Sequence, residues 1–258
     1  MEMPQLEENL YLKLVNEIQW KNEHPLAQLV MGGCLKNKKY PLPFNIEFRH
    51  VQSDPRTEWS IPINVQACID KIIHGYGIIE SVPKRIDRVI ETFLTTLILE
   101  FDDSDCPGSY SQPDLIGTST IMNVHSSEAT PWYLADALVH ETIHCYLFTI
   151  EQATGDSLYY KKTKDLGLTI QSPWTGRDIE VHFFVHACFV WFGLFHFWDQ
   201  YVKFNAQNRK EGVVFQQRAL KGFTSTPLTQ LFPDIEVPPT VRDAIQSIED
   251  NIQLSALS

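Results

Sequence analysis

The chain has 258 residues, 43% of them hydrophobic and 12% aromatic, with 21 basic against 32 acidic side chains and a formal charge of -11. An apolar share of this size over this length builds an ordinary core, which excludes wholesale disorder and sets one domain as the default. The acidic balance argues against a nucleic-acid backbone as partner, because phosphate neutralisation needs clustered Lys and Arg, and it suits a neutral or basic peptide.

In chain order, residues 5–35 read as mostly helical with a break at Pro25. The stretch begins MEMPQLEENLYLKLVNEIQW, with acids where a signal peptide needs bases. Residues 36–62 carry Lys-rich and Pro-rich turns around NIEFRH, whose alternation predicts a strand. Ile63 to Glu80 predicts a helix that Gly75 and Gly77 weaken at its end. Pro83 opens another helix to about Phe93, and the β-branched run TTLILEF (95–101) predicts a strand. DDSDCPGSYSQPDLIG reads as loop by composition, and TSTIMNV (118–124) as a second strand. Thr130-Pro131 places a capping hydroxyl before a proline at the first helical position, so a helix is predicted from there to about Gln152.

A polar connection then leads to Asp178. An apolar helix is predicted from about Ile179 to Phe204, a polar helix around 207–222, a Pro-rich turn (PDIEVPP) and a last helix from about Val241. Within the apolar helix, Val181 to Trp198 reads VHFFVHACFVWFGLFHFW, near the minimum length of a membrane span. Three histidines inside it, acids at both ends and no basic flank favour a buried helix of a fold without a membrane. The five cysteines, Cys34, Cys68, Cys106, Cys145 and Cys188, form no CxxC pair. That disfavours a zinc knuckle or redox dithiol and suits a reducing compartment, so the expected location is cytoplasmic. The expected fold class is α+β and mainly helical, with a small sheet. The expected organisation is one domain over 1–258, with 1–60 as a candidate N-terminal appendage and 108–200 as its functional core.

The strongest chemical signal is His140-Glu141-Thr142-Ile143-His144, an HExxH motif. Residues four apart share one helical face, so both imidazoles can converge on one metal ion. The adjacent Glu141 can polarise a bound water or orient a ligand. Leu138, Val139, Ile143, Leu147 and Phe148 flank the motif and mark a buried helix, where unpaired imidazoles are costly. The metzincin continuation fails, because Leu147 and Ile150 stand where it needs Gly and His. A third ligand must come from elsewhere, and the apolar helix offers Glu180, His182, His186 and His196. His182, His186, Phe189, Gly193 and His196 fall in one stripe of that helix. Zinc with Glu141 as general base gives peptide hydrolysis; ferrous iron with open positions gives dioxygen chemistry. The second needs a cationic anchor for a dicarboxylate co-substrate, for which Arg177 is a candidate.

Two blocks carry a resemblance. GSYSQPDLIGTSTIMNV (108–124) precedes LADALVHETIH (134–144), and SPWTGRDIEVHFFVHACFVWFGLFHFW covers 172–198. Together they resemble the HExxH-containing 2-oxoglutarate-dependent peptide β-hydroxylases, which modify ribosomally made precursor peptides. In that family an LvHE..H helix is followed by a Trp/Arg segment, a His-Gly-x-aromatic-Ala core and a Phe-Trp ending. Here the core reads His186-Ala187-Cys188-Phe189-Val190 and the ending Phe197-Trp198. Ala187 departs from the family glycine, and GRDIEV replaces a DPRP-like run.

The resemblance covers about residues 108–200; nothing in 1–60 takes part. It implies His140, His144 and His186 as metal ligands, Glu141 at the catalytic centre, Arg177 as 2-oxoglutarate anchor, Fe(II) and 2-oxoglutarate as cofactors, and a precursor peptide as substrate. The alternatives are a zinc metallopeptidase and a non-catalytic, metal-containing peptide-binding protein.

Overall fold

The structure, a computed structural model, describes residues 42–50, 64–83, 86–102, 104–154, 166–232 and 239–256. The helix expected over 5–35, the break at Pro25 and most of the PDIEVPP turn lie outside the described residues. The described residues form a mainly helical α+β fold. Its order is β1 (Asn45–His50), α1 (Val65–Glu80), α2 (Ile86–Phe93), β2 (Thr96–Phe101), β3 (Gly108–Ser111) and β4 (Thr118–Met122). There follow α3 (Pro131–Thr154), β5 (Thr169–Gln171), β6 (Asp178–Glu180), α4 (Val181–Phe204), α5 (Arg209–Lys221), a 3-10 turn (Leu228–Gln230) and α6 (Pro239–Ala256).

The larger sheet has the order β1-β2-β4-β3. Its first three strands are parallel, with Leu97 opposite Ile46 and Ser119, while β3 joins β4 antiparallel, with Ser111 opposite Ser119. The central β2, TLILEF, is buried along almost its whole length, as a parallel strand covered on both faces must be. The composition of GSYS predicts a loop where the structure has the strand β3. Its pairing with β4 decides its state, and the sequence cannot supply that partner. The connection before α4 likewise holds the β5–β6 hairpin, which keeps Asp178–Glu180 extended and starts α4 at Val181 instead of Ile179. The last helix begins earlier than expected, with Pro239 in its first turn.

α3 is the element around which the others gather: it touches α1, α2, β3, β4, α4 and α5. Its start is the one expected, with the Thr130 hydroxyl accepting the Tyr133 amide at 3.2 Å. Two polar anchors fix what leads into it. Fully buried Asn123, at φ 52°, donates to the Asp102 carboxylate and the Cys106 carbonyl, and accepts from the Asp102 amide, so the loop before β3 is held against the end of β4. Lys71 on α1 donates to the carbonyls of Val124 and Ser126. α4 is the one helix among the described residues long and apolar enough to cross a membrane, and 72% of its most apolar window is buried within the fold. Phe184, Phe197 and Trp198 are among the largest fully buried side chains, which accounts for its apolar character as core.

The two glycines of α1 separate into a packing glycine and an idle one. A Cβ on Gly75 would stand 3.0 Å from the Leu134 Cβ and 3.2 Å from the Ala135 amide, so α1 and α3 cross there with no room to spare. A Cβ on Gly77 would meet nothing within 4 Å. Gly77→Ala is therefore expected to stabilise the fold by about 0.5–1 kcal/mol through the unfolded chain. Gly75→Ala should instead destabilise it by about 1–3 kcal/mol. Denaturant unfolding of the two variants side by side checks both signs.

Candidate metal centre

α3 and α4 lie side by side in opposite directions, which their side-chain contacts make visible. Asp136 meets Trp198, His140 meets Trp191, His144 meets His186, and Glu151 meets His182. Residues 136, 140, 144 and 151 fall on one face of α3 at helical spacing; on α4, 182 and 186 share one face, and 191 and 198 lie roughly 120–140° further round the axis, so the α3 face meets first one and then the other along the contact. The seam between the helices is therefore a line of polar and aromatic groups inside an otherwise apolar contact.

The three histidines expected to hold a metal are in that seam. The rings of His140 and His144 have their centroids 5.0 Å apart, and those of His144 and His186 5.4 Å apart. The Nδ1 atoms of His144 and His186 are 3.1 Å apart. His186 is 1% exposed, whereas the His140 side chain keeps 27% of its surface. Burial pushes the His140 imidazole down to about 4, with the Arg218 charge adding to the effect. His144 is held well below the usual histidine range by burial first, then by the charges of His140, His186 and His182. Burial also lowers His186, against the hydrogen bond and charge of Glu151, which act the other way. These rings are neutral at pH 7 and so carry the lone pairs a metal needs. Two ring nitrogens at 3.1 Å share either one proton or one cation, but the three donors that close to within 4.8 Å of one another among the described residues are Glu151, His182 and His186, not His140, His144 and His186.

Glu141 faces away from the helix partner, toward the sheet. It is 1% exposed, and its Oε2 accepts the Ser111 hydroxyl of β3 at 2.7 Å. Its Oε1 stands 4.0 Å from the His140 Nε2. Burial pushes its carboxyl up to about 7, against the hydrogen bonds of Ser109 and Ser111. Ser111 also meets Ser119 at 2.9 Å, and Ser119 meets the buried Cys145 sulfur at 3.3 Å, so a short polar seam joins β3, β4 and α3.

Arg177 is exposed, in the turn between β5 and β6. Gly176, at φ 72°, lets the chain reverse there, but no contact joins the guanidinium to the histidines among the described residues. The cation beside His140 is instead Arg218 of α5. It pairs with Asp136 and lies over the Trp191 ring, 5.2 Å from its centroid. Of the alternative third ligands, His182 belongs to the cluster. Glu180 precedes α4 as its extended cap residue, and His196 lies nearly three turns beyond His186, against Phe192.

Glu151 was not singled out from the sequence. Its Oε1 lies 2.8 Å from the Nε2 of both His182 and His186. Burial raises its carboxyl, but the hydrogen bonds from the two rings outweigh that and hold it at about 2. The signal was present: Glu151 stands seven residues after His144, on the same face of the motif helix. Ser111 and Arg218 gave no comparable signal, because tertiary packing alone brings them near the motif. No protein-family model matches the chain, and no curated protein matches it.

The Glu141 environment gives a pH dependence of known sign. An acid whose folded pKa is raised, here from 4.5 to about 7, costs stability above pH 7, and that cost disappears as pH falls through 7 toward 4.5. Glu141→Gln removes the titration while keeping an acceptor for Ser111. In metal-free protein, the stability of Glu141→Gln relative to wild type should be greater at pH 8 than at pH 5, by roughly 2–3 kcal/mol. Urea unfolding of both proteins at the two pH values measures it.

Proposed function

We propose that this chain is a metal-dependent oxygenase that hydroxylates a β-carbon of a residue in a ribosomally made peptide. His140, His144 and His186 would hold Fe(II), with 2-oxoglutarate as co-substrate. The observation that favours oxygenation over hydrolysis is the state of Glu141. A hydrolytic general base must turn an ionised oxygen toward the metal-bound water. Glu141 is buried, and its Oε2 is already engaged by the Ser111 hydroxyl of β3 at 2.7 Å, on the side of the helix turned to the sheet. A carboxyl in that state is suited to fixing the motif helix against the sheet and holding His140 in place. Bound iron and 2-oxoglutarate would supply the oxidation, in which decarboxylation of the keto acid to succinate is coupled to insertion of oxygen into a C–H bond.

The chain's own part is orientation and enclosure. The His144 ring meets those of both His140 and His186 in the seam, and Phe148, Phe183 and Trp191 line the same cluster, which supports this reading. A peptide substrate is supported by β3. Its outer edge pairs with no strand among the described residues, and it runs beside Glu141, so an extended peptide can add to it through main-chain hydrogen bonds. The same edge strand, and a carboxyl near 7, are what favour the second reading, a zinc metallopeptidase with Glu141 as base.

The deciding experiment is succinate formation from 2-oxoglutarate and dioxygen by protein loaded anaerobically with Fe(II), in the presence and absence of candidate peptides. The oxygenase reading expects peptide-stimulated succinate that survives at least in part in Glu141→Gln. Peptide hydrolysis by the zinc-loaded protein, lost in Glu141→Gln, would establish the peptidase instead. The anchor is located in the same assay: Arg177→Gln raises the 2-oxoglutarate requirement at least tenfold, with metal content unchanged, only where the β5–β6 turn supplies the anchor. If Arg218→Gln does so and Arg177→Gln does not, the anchor is the arginine beside His140.

A further inference from the structure

We propose that Glu151, His182 and His186 form a second divalent-cation site, joined to the HExxH pair through the His186 ring. The Glu151 Oε1 and the Nε2 atoms of both histidines all lie within 4.8 Å of one another, and the carboxylate is 2.8 Å from each ring. Donors on one ion with bonds of about 2.0–2.2 Å stand roughly 3 Å apart, so small rotations of these side chains complete the set. The composition is two imidazoles and one carboxylate, with the remaining positions open. This is a ligand set for Fe(II), Mn(II) or Zn(II) rather than for Ca(II), which requires six or more oxygens.

The geometry of His186 separates the two sites. Its Nδ1 faces His144 at 3.1 Å and its Nε2 faces Glu151 at 2.8 Å, so opposite edges of one ring serve the two sides of the seam. Both nitrogens bind cations only if the ring gives up its remaining N–H proton, which passes to solvent. The Glu151 side chain keeps 21% of its surface, which gives an ion a route in, while His182 and His186 are each 1% exposed. The local sequence supports the same grouping: His182 and His186 are four apart in the first turns of α4, and Glu151 lies in the last turn of α3, where the antiparallel helices bring these ends together. The inference rests on the proposed function in one respect, that His186 also serves the HExxH pair.

The test is the amount of Co(II) retained per chain after anaerobic loading of the full-length protein and gel filtration. It is measured in wild type, in His140→Gln/His144→Gln and in Glu151→Gln/His182→Gln, with circular dichroism to confirm folding. Two ions are expected in wild type and one in each double variant. Because Glu151→Gln/His182→Gln may fail to fold, the wild type carries its own criterion: one retained ion per chain overturns the second site. Two ions that both persist in a folded Glu151→Gln/His182→Gln variant also overturn it. In that event Glu151 acts only as the hydrogen-bond acceptor that orients two rings. The proposed oxygenase fails separately: no succinate from the Fe(II)-loaded wild type removes the oxygenase and leaves the ion count untouched, whereas a single ion released by His140→Gln/His144→Gln removes only the second site.

Discussion

The site depends on the antiparallel contact of two long helices that carry polar groups along their shared face. Imidazoles and carboxylates removed from water must find partners, and one helix cannot partner its own face. α3 (Pro131–Thr154) brings Asp136, His140, His144 and Glu151; α4 (Val181–Phe204) brings His182, His186, Trp191 and Trp198. Each group finds its partner across the seam: the Asp136 carboxylate takes the Trp198 indole N–H at 2.7 Å, and Glu151 takes the two histidines. The pairing fixes both the register and the direction of the helices, since a slip of one turn would strand several buried polar groups.

The sheet sets the other boundary of the site. β4 leads through the Asn123 corner into α3, so the motif helix begins at a defined place relative to the strands. Because β3 (Gly108–Ser111) turns back along β4, Ser111 arrives beside Glu141. The motif helix thus has two chemically distinct faces. One presents neutral imidazoles to α4, and the other presents a carboxyl to serine hydroxyls of the sheet. Burial on the sheet side, against the serine hydroxyls, sets the pKa of Glu141.

At the far end of the seam a third feature appears. Asp136 is buried and would be costly alone; Arg218 and Trp198 compensate it, and Arg218 lies over Trp191 and Phe215. The Arg218 side chain remains 41% exposed, and its charge acts on His140. A cation at the mouth of a cluster of neutral imidazoles makes that end attractive to anions and unfavourable to protonation of the nearest ring. Arg177, in the exposed β5–β6 turn, contributes no such field to the cluster.

The sequence by itself determined the local elements and half of the site. The Thr130-Pro131 start, the TLILEF run and the apolar stripe of 181–204 each signal through neighbours a few residues away. Helical spacing alone puts His140 and His144 on one face, and His182 with His186 on another. Those are short-range facts, and they reappear in the fold. Tertiary structure decided which faces meet. The strand state of GSYS depends on β4, the proximity of Ser111 to Glu141 on that pairing, and the arrival of Arg218 at His140 on the docking of α5. Glu151 stands between these cases. Its place on the motif face is legible from spacing, but its two histidine partners lie more than thirty residues away in sequence. Only the antiparallel packing of the two helices supplies them, because hydrogen bonds and metal ligation act over about 3 Å in space, whatever the separation along the chain.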